Sequence, residues 1–431
     1  MKTLVRLFLL MSITLFISCK KEKKDTEDPQ LTMYSPANGT TFNMFDTIKI
    51  QAQFTDNVEL SSISISLRDL NGISVQPSGT QALSGASRTY STNYILYEYR
   101  IKTGDYNLEL LLSDGENTTT KTIPIHIIES PTYLKGFYLA QGDNTSSSIK
   151  KYDTNFVNTA TFNLSSSYLN SDISNYHQQL YYTEGANQAL KTVDATTNQS
   201  LWTINSLGVN NSKCATDNSK VFFSKDQGNI VSYNHEGTLV RSYLSNELDY
   251  YAKHVFACGK YLVVNLEHNT VSTTRKTVIF EIASGIVKYV FTDNAECIQA
   301  LSRSDNEIYL ITTNNSGSSL IGNFNITTLN YNQPHTSTSK ITSATFVDAD
   351  NILFCTEDGN IKQFTYSNTN LITLLSGTNT SKLFFAEKSN RLYAAQAKNL
   401  VVYNKSAFAL SFDKQYVSSD TIRNFHLIYN K

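Results

Sequence analysis

Histidine is a common zinc ligand, and it occurs seven times in this sequence without a spacing that would bring two imidazoles to one ion. The chain contains no HxH, HExxH or HxxxH motif. A zinc hydrolase needs such pairs, because residues i and i+4 share a helix face and residues i and i+2 share a strand face. We therefore predict no metal site and expect these to be surface or core residues. They are His126, His177, His235, His254, His268, His335 and His426.

No motif identifies a catalytic nucleophile or an acid–base pair. The chain has no GxSxG motif and no glycine-rich phosphate loop. Glycosidases use two carboxylates that converge from separate parts of a chain, and a single sequence does not show such pairs. Asp348 and Asp350 are candidates, but their place in a short Asp/Asn cluster favours a structural role in a turn. No catalytic residue is predicted.

Residues 224–228 (SKDQG) resemble the start of the sialidase Asp-box, although the aromatic residue that should close the motif is missing. A related segment, EDGNI, occurs at residues 357–361. Two related copies indicate a repeated turn between two strands rather than a sialidase site.

The N-terminus carries a targeting signal. Lys2 and Arg6 precede an apolar run over residues 7–17, too short for a bilayer span of about 20 residues but suited to a signal peptide. The run ends in LFISC, which resembles a bacterial lipobox and implies acylation of Cys19. The alternative is an ordinary signal peptide with an incidental cysteine. We expect a signal peptide at 1–18 and a lipidated tether at 19–30.

Charged residues follow directly after Cys19, over residues 20–28. This pattern resembles the surface-export signals of Bacteroidetes lipoproteins. The resemblance implies a lipid-anchored protein of the bacterial outer membrane, on its surface or periplasmic side.

The composition favours β-structure and excludes nucleic acid as a partner. The 431 residues include 26 Tyr and 22 Phe, only 17% are charged, and the net charge is −1. Aromatic and hydroxyl-bearing residues are typical of strands, whereas a nucleic-acid-binding protein would show a basic face.

A first module spans residues 31–129, and its strand pattern predicts a β-sandwich. Strands are expected at 47–54, 61–67, 94–101, 106–113 and 120–128, several with alternating apolar and polar residues. The sequence GDY at residues 104–106, followed by SDGEN at 113–117, resembles the end of a bacterial immunoglobulin-like domain. No cysteine pair is present, which excludes the antibody subtype. Ser130-Pro131 marks the expected boundary.

The rest of the chain, residues 134–431, contains a repeat of 40 to 47 residues. Each unit has a polar turn followed by an apolar or aromatic pair that opens a strand. A period near 40 with about four strands per unit is typical of a β-propeller, and seven pairs predict seven blades. The anchor pairs are Phe137-Tyr138, Leu180-Tyr181, Val221-Phe222, Tyr261-Leu262, Ile308-Tyr309, Ile352-Leu353 and Leu392-Tyr393. The fold class is therefore all-β, an immunoglobulin-like sandwich followed by a seven-bladed propeller.

Residues 193–202 (VDATTNQSLW) resemble the repeat of the quinoprotein alcohol-dehydrogenase-like propellers, with Asn198 in place of the usual glycine. Quinoprotein dehydrogenases hold their cofactor with a Trp floor and adjacent cysteines. This chain has no adjacent cysteines, and its single Trp202 lies in the repeat, where it should pack between blades. No cofactor is predicted.

Four further cysteines could form disulfides or bind a metal. Cys214, Cys258, Cys297 and Cys355 contain no CxxC pair and lie at different offsets from the anchor pairs. An offset of four residues along a strand is about 13 Å, beyond disulfide reach. Free buried thiols are predicted.

Residues 422–429 predict an apolar strand that has no blade of its own. Blade one begins directly with its second strand and lacks an innermost one. We therefore predict that the C-terminal strand completes blade one and closes the ring.

The sequence favours a membrane-anchored propeller that binds a protein or glycan without catalysis and stands on an immunoglobulin-like stalk. Two alternatives remain open: a polysaccharide lyase or glycosidase, and an assembly scaffold similar to the propeller lipoprotein of outer-membrane protein insertion. Carboxylates clustered with Tyr or Arg at the propeller mouth would favour an enzyme. An exposed aromatic or apolar band would favour a binding protein.

Overall fold

A computed structural model describes residues 25–98, 100–142, 146–185, 189–205, 213–217 and 219–431. The chain divides after Pro131 into two compact units. The predicted signal peptide at 1–18 and Cys19 lie outside the described residues. In the part that is described, all elements are strands except one 3-10 turn at Glu387–Ser389.

The N-terminal unit contains eight strands in two sheets. One sheet has the order β1-β3-β6, and the other has the order β2-β8-β7-β4-β5 with β2 parallel to β8. The strands are β1 (Gln30–Ser35), β2 (Thr40–Asn43), β3 (Thr47–Thr55), β4 (Ser62–Arg68), β5 (Ser74–Ala82), β6 (Ser87–Ile95), β7 (Gly104–Ser113) and β8 (Thr118–Ile128).

Alternating apolar residues form the core of this unit. Ile48, Ile50 and Phe54 on β3 are fully buried, and they pack in one cluster with Leu67 of β4 and Leu108 of β7. Because successive strand residues point to opposite faces, the apolar residues of both sheets meet in a single core. The alternation predicted for β3 and β4 is confirmed.

The prediction of a strand at residues 94–101 is wrong. The strand at this point is β6, which ends at Ile95, and the chain then leaves the sheet. The amide groups of Tyr97 and Glu98 donate to Oε1 of the buried Gln76, at 3.0 and 3.3 Å. This side chain replaces the partner strand that a continued ladder would need.

The second unit contains seven four-stranded antiparallel sheets. Six of them take four consecutive strands in chain order, and the first has the order β11-β10-β9-β36. The first three strands are β9 (Leu134–Gly142), β10 (Ser147–Asp153) and β11 (Asn158–Asn163). Sheet two comprises β12 (Tyr168–Ser174), β13 (Gln179–Glu184), β14 (Leu190–Asp194) and β15 (Ser200–Ile204). Sheet three comprises β16 (Cys214–Thr216), β17 (Lys220–Asp226), β18 (Asn229–Asn234) and β19 (Leu239–Tyr243).

The remaining sheets repeat the same plan. Sheet four comprises β20 (Tyr250–Cys258), β21 (Tyr261–His268), β22 (Arg275–Glu281) and β23 (Val287–Phe291). Sheet five comprises β24 (Glu296–Ser304), β25 (Glu307–Thr313), β26 (Ser319–Asn325) and β27 (Asn330–Ser337). Sheet six comprises β28 (Ile341–Phe346), β29 (Asn351–Thr356), β30 (Ile361–Thr365) and β31 (Asn370–Leu375). Sheet seven comprises β32 (Thr380–Ala386), β33 (Arg391–Gln396), β34 (Asn399–Lys405) and β35 (Leu410–Val417), and the chain ends with β36 (Ile422–Tyr429).

One strand from each sheet contacts its counterpart in the next sheet, in the cyclic order β12, β16, β20, β24, β28, β32, β36 and back to β12. We call these the inner strands. The seven anchor pairs of the sequence all lie in the strand beside an inner strand. Such a strand is packed on both faces; β13 and β21, for example, are buried along nearly their whole length. Burial on both faces explains why consecutive residues are apolar there.

The C-terminal strand connects three sheets. β36 pairs antiparallel with β9, with Leu427 opposite Phe137. Phe425 packs in a cluster that includes Tyr393 of sheet seven, whereas Ile428 packs in a cluster with Leu180 of sheet two.

Replacing a buried residue of β36 should strongly destabilise the protein. Phe425 is 3% exposed, so Phe425→Ala should lower the free energy of unfolding by about 3–5 kcal/mol through lost burial and a cavity. The control is Phe412→Ala on β35, where the side chain is 62% exposed and the expected change is about 0.5 kcal/mol or less. Urea denaturation measures both values. Equal effects of the two substitutions would contradict the assigned role of β36.

Deletion of residues 422–431 is the more drastic change. It removes the partner of β9 and leaves an unpaired edge, so we expect aggregation or a large fall in melting temperature. A truncated chain that stays monomeric and melts within a few degrees of the intact chain would show that β36 does not complete the first sheet.

Candidate functional site

The inner strands surround a cavity of about 560 Å³. All seven inner strands contribute to its lining. We call it the central cavity.

The register of the sheets explains which residues line it. In each sheet, the inner-strand residue paired with the second residue of the anchor pair reaches the central cavity. For example, Asp172 is opposite Tyr181, and His426 is opposite Tyr138. These seven residues form one level, which we call the cavity ring. Its members are Asp172, Ala215, Ala257, Leu301, Thr345, Phe384 and His426.

The cavity ring combines different chemistries. It contains one carboxylate, one imidazole, one hydroxyl and one aromatic ring, and the remaining members are small or aliphatic. Phe384 is 41% exposed although it is apolar. Lys382, two residues before Phe384 on β32, also lines the cavity. β12 and β36 contribute more than one polar side chain each, and Glu387 in the turn after β32 adds a carboxyl group, whereas β20 contributes only apolar side chains.

His426 is held as a neutral imidazole. Its Nε2 is 2.7 Å from Ser171 Oγ and 3.3 Å from Asn424 Nδ2. Burial, assisted by the positive charge of Lys382, lowers the pKa of His426 to about 3. Its Nδ1 lies 4.0 Å from Asp172 Oδ1, too far for a hydrogen bond.

Asp172 on β12 and Lys382 on β32 line the cavity on either side of β36. Each carboxylate oxygen of Asp172 accepts one backbone N–H at 2.8 Å, from Ile173 and from Thr216. Burial raises the pKa of Asp172 despite these bonds and the opposing effect of Lys382. Burial also lowers the pKa of Lys382, against the effect of the Asp172 charge. Lys382 makes no hydrogen bond to any residue within the described ranges.

Side chains also join one inner strand to the backbone of the next. Asp172 Oδ2 accepts the N–H of Thr216, and Ser343 Oγ accepts the N–H of Leu383 at 3.1 Å. Thr345 Oγ1 accepts the N–H of Phe385 at 3.0 Å. Inner strands of neighbouring sheets do not form a ladder, so these bonds satisfy backbone groups that would otherwise lack partners.

A second group of titratable residues lies on sheets four and five. Lys253 Nζ is 2.6 Å from Glu267 Oε2 and 3.4 Å from Glu296 Oε1. Arg275 Nε is 2.9 Å from Glu267. His254 Nε2 is 3.0 Å from Glu296 Oε1, and this hydrogen bond is the main reason that the pKa of Glu296 falls to about 2.

The Glu267 carboxylate stays ionised for a related reason. Burial alone would raise the pKa of Glu267, but hydrogen bonds from Lys253, Tyr251 and Arg275 together lower it. Neither Glu267 nor Glu296 can therefore supply a proton as a general acid near neutral pH. The two cations offset the two carboxylates, so the arrangement is a charge-balanced network.

Several residues singled out in the sequence have structural roles. Asp348 Oδ1 accepts the backbone N–H of Asp350 and of Asn351, at 2.8 and 2.9 Å. Asp350 Oδ1 accepts the N–H of Ser367 at 2.8 Å. The turn role predicted for both aspartates is confirmed. The two Asp-box-like segments form the turns between β17 and β18 and between β29 and β30, where Gly359 has a φ of 83°.

Trp202 packs between sheets two and three, as predicted. Its ring centroid lies 5.9 Å from that of Tyr181 and 6.3 Å from that of Tyr233. A Cβ at Gly237 would approach the indole to 2.9 Å, so only glycine fits beside it. Asn198, in the turn before β15, has the positive φ of 63° that its place in the repeat requires.

The four cysteines are free and buried, as predicted: Cys214, Cys258, Cys297 and Cys355. Burial raises the pKa of Cys258 to about 12, which makes it a poor nucleophile.

Among the described residues, Asp25, Asp56 and Asp114 bring carboxylate oxygens within 4.8 Å of one another, a group that the sequence did not predict. Asp56 Oδ2 accepts the N–H groups of Val58 and Glu59, and Asp114 Oδ1 accepts those of Glu116 and Asn117. These bonds show that the aspartates stabilise turns.

Sequence reasoning missed Asp172, Lys382 and His426, because each is a single polar residue in an otherwise ordinary strand. An alignment on the anchor pairs would not show the relation, because Asp172 shortly precedes Tyr181, whereas His426 lies at the opposite end of the second unit from Tyr138.

Residues 29–122 match the family described as the bacterial Ig domain. This match and the strands of both units confirm the all-β class. No curated protein matches the chain in sequence. In the part of the chain that is described, no helix is long and apolar enough to span a membrane.

Similar solved structures are β-propellers. The Cps50 (Swd1) β-propeller domain of Myceliophteria thermophila is 9% identical, with 62% of this chain and 95% of that chain covered and a TM-score of 0.47. A putative 6-phosphogluconolactonase from Bacteroides fragilis is 12% identical, with 68% and 97% covered and a TM-score of 0.48. The RRP9 WD40 repeats are 12% identical, with 62% and 86% covered and a TM-score of 0.48. The likeness concerns the fold alone.

The neutral His426 should make the protein acid-sensitive. Because its pKa is lowered in the folded state, the unfolded chain binds the proton first, and stability is lost as the pH falls from about 6.5 towards 3. The titration of His426 should lower the free energy of unfolding by about 3 kcal/mol at pH 4. In His426→Gln, the difference in unfolding free energy between pH 7.5 and pH 4 should shrink by this amount. Asp172 and Lys382 are present in both proteins, so their titration largely cancels.

The control for this comparison is His126→Gln, since His126 belongs to the N-terminal unit and does not line the central cavity. In this variant the second unit should unfold in urea with the pH dependence of the unsubstituted chain. An unchanged pH dependence in His426→Gln would refute the neutral, buried state of His426.

Proposed function

We propose that this chain is a lipid-anchored envelope protein whose seven-bladed propeller binds a protein or glycan ligand without catalysis, on a stalk formed by an immunoglobulin-like sandwich. The observation that carries the proposal is the cavity ring. Seven sheets place donors, acceptors and an exposed aromatic ring at one level of one cavity, which is the composition of a binding site.

The proposed architecture rests on contacts within each unit. The inner strands contact one another in a cycle of seven, which supports seven blades around the central cavity. In the N-terminal unit, the two sheets share a single hydrophobic core, which supports a sandwich. In chain order the sandwich lies between residues 19–30 and the propeller, and this order suits a stalk.

A binding role is favoured over glycoside hydrolysis because of the state of the carboxylates. A glycosidase needs one protonated and one ionised carboxyl group on either side of the scissile bond. The cavity ring contains one carboxyl group, Asp172, and the pKa values of Glu267 and Glu296 are lowered, so both stay ionised. The lyase or glycosidase alternative retains two supporting observations: the raised pKa of Asp172, and a second carboxyl group, Glu387, in the cavity lining outside the ring.

The binding test uses the chain from residue 20 onward and isolated envelope fragments from bacteria. Ala257→Arg would fill the cavity ring with a long side chain and should reduce cosedimentation with the fragments by about tenfold or more. The control Val240→Arg introduces the same side chain at a position 44% exposed on β19 and should bind normally.

The same samples are assayed for new reducing ends or unsaturated sugar ends. The proposal predicts none. Release of either product that is lost in Asp172→Asn would contradict the non-catalytic role and favour the enzyme. Equal cosedimentation of Ala257→Arg and Val240→Arg would contradict binding at the central cavity.

The proposed anchor is tested separately by metabolic labelling with an alkynyl fatty acid. The unsubstituted chain should be labelled, and Cys19→Ala should not, because acylation at the lipobox requires that thiol. Cys214→Ala is the control, since Cys214 is buried and should not accept lipid. Persistent labelling of Cys19→Ala would refute the anchor.

A further inference from the structure

We infer that the ligand of the central cavity is a neutral oligosaccharide, whose hydroxyl groups bond to Asp172 and Lys382 and whose C–H face packs on Phe384. This inference rests on the proposed function and names the ligand class for the same site. It follows from three properties of the cavity: unused hydrogen-bonding capacity, charged groups of both signs, and an exposed aromatic ring.

The first property is unused hydrogen-bonding capacity. An ammonium group has three donors, and Lys382 uses none of them on the described residues. An ionised carboxylate accepts about four hydrogen bonds, and the oxygens of Asp172 accept two backbone N–H groups and a hydrogen bond from the Thr216 side chain. A ligand that uses the remaining capacity of both side chains must offer acceptors as well as donors. A hydroxyl group offers both, whereas a carboxylate only accepts and an ammonium only donates.

The second property is charge. The cavity is lined by one amino group, Lys382, by the carboxyl groups of Asp172 and Glu387, and by the neutral imidazole of His426. An anionic ligand drawn to Lys382 would meet the two carboxyl groups, and a cationic ligand drawn to a carboxyl group would meet Lys382. Such a like-charge contact is costly. The presence of both signs favours a ligand without net charge.

The third property is the exposed ring of Phe384. The Phe384 side chain is 41% exposed, and it lies at the central cavity, at the same level as Asp172. Leu301 on β24, two inner strands away from Phe384, adds to the apolar surface of the cavity. Apolar surface facing donors and acceptors across a cavity matches a sugar ring, which has hydroxyl groups at its edge and C–H groups on its face.

The volume sets the length of the ligand. At about 560 Å³ the cavity lies in the range of sites that bury most of a small ligand, about 300–1,000 Å³. This is more than one sugar ring occupies, so an oligosaccharide is favoured over a monosaccharide.

The test is titration calorimetry of the chain from residue 20 onward with four neutral tetrasaccharides: cellotetraose, xylotetraose, mannotetraose and maltotetraose. We expect saturable binding of at least one, and binding of the anionic tetragalacturonate to be weaker by about tenfold or more. Phe384→Ala and Lys382→Met should each weaken binding by about tenfold or more. The controls, Phe412→Ala and Lys398→Met, change the same residue types at exposed positions and should stay within about twofold.

The melting temperature separates lost binding from lost folding. Lys382→Met removes the desolvation cost of an ammonium without hydrogen bonds but also its attraction to Asp172; because these effects oppose each other, the melting temperature should stay within a few degrees of that of the unsubstituted chain. Weaker binding with preserved melting then assigns Lys382 to the ligand.

Three outcomes would overturn the inference: no binding of any neutral tetrasaccharide at millimolar concentration, tighter binding of tetragalacturonate, or binding that Phe384→Ala leaves unchanged. If these occur while Ala257→Arg still abolishes binding to envelope fragments, the saccharide class is wrong and the proposed function stands. If the fragments show no cavity-dependent binding, the proposed function itself fails.

Discussion

The pairing of β36 with β9 is the interaction on which the rest of the second unit depends. It joins the end of the chain to a strand almost 300 residues earlier, and it supplies the inner strand that the first sheet lacks. Without it, β9 would expose a row of unpaired amides and carbonyls, and the cycle of inner strands would be open. Loop segments reinforce the pairing: Asn175 Oδ1 accepts the N–H of Tyr429 at 2.8 Å, and Gln178 Nε2 donates to Tyr429 O at 2.8 Å.

The same strand completes the candidate site. β36 places His426 in the cavity ring, with its Nδ1 4.0 Å from Asp172 Oδ1. A hydrogen bond between His426 and Ser171 and another that Asn424 donates to Tyr168 connect the chain terminus to sheet two. The pairing of β36 with β9 therefore closes the cycle of inner strands and also brings His426 to the central cavity. Burial of Asp172 and Lys382 costs free energy that hydrophobic packing around the ring must offset, as is common at binding sites.

Much of the fold could be predicted from the sequence because the repeat is strong. Strands packed on both faces require consecutive apolar residues, so anchor pairs such as Leu392-Tyr393 are easy to recognise. The predicted strand at 422–429 has no sheet of its own, and the first sheet lacks an inner strand. The strand predicted at residues 94–101 is wrong because of a contact distant in sequence. The side chain of Gln76 accepts the N–H groups that would have continued the ladder. The cavity ring was not predicted because its members differ in chemistry, and only their register relates Asp172 to Phe384.

Native-state hydrogen exchange of β36 tests the central claim most directly. Terminal segments usually fray and exchange early, whereas a strand that closes the ring can open only when the whole unit unfolds. The account predicts that the amides of Ile422–Tyr429 exchange as slowly as those of Leu134–Gly142, with the same dependence on denaturant. Rapid exchange of Ile422–Tyr429 while Leu134–Gly142 stays protected would contradict it.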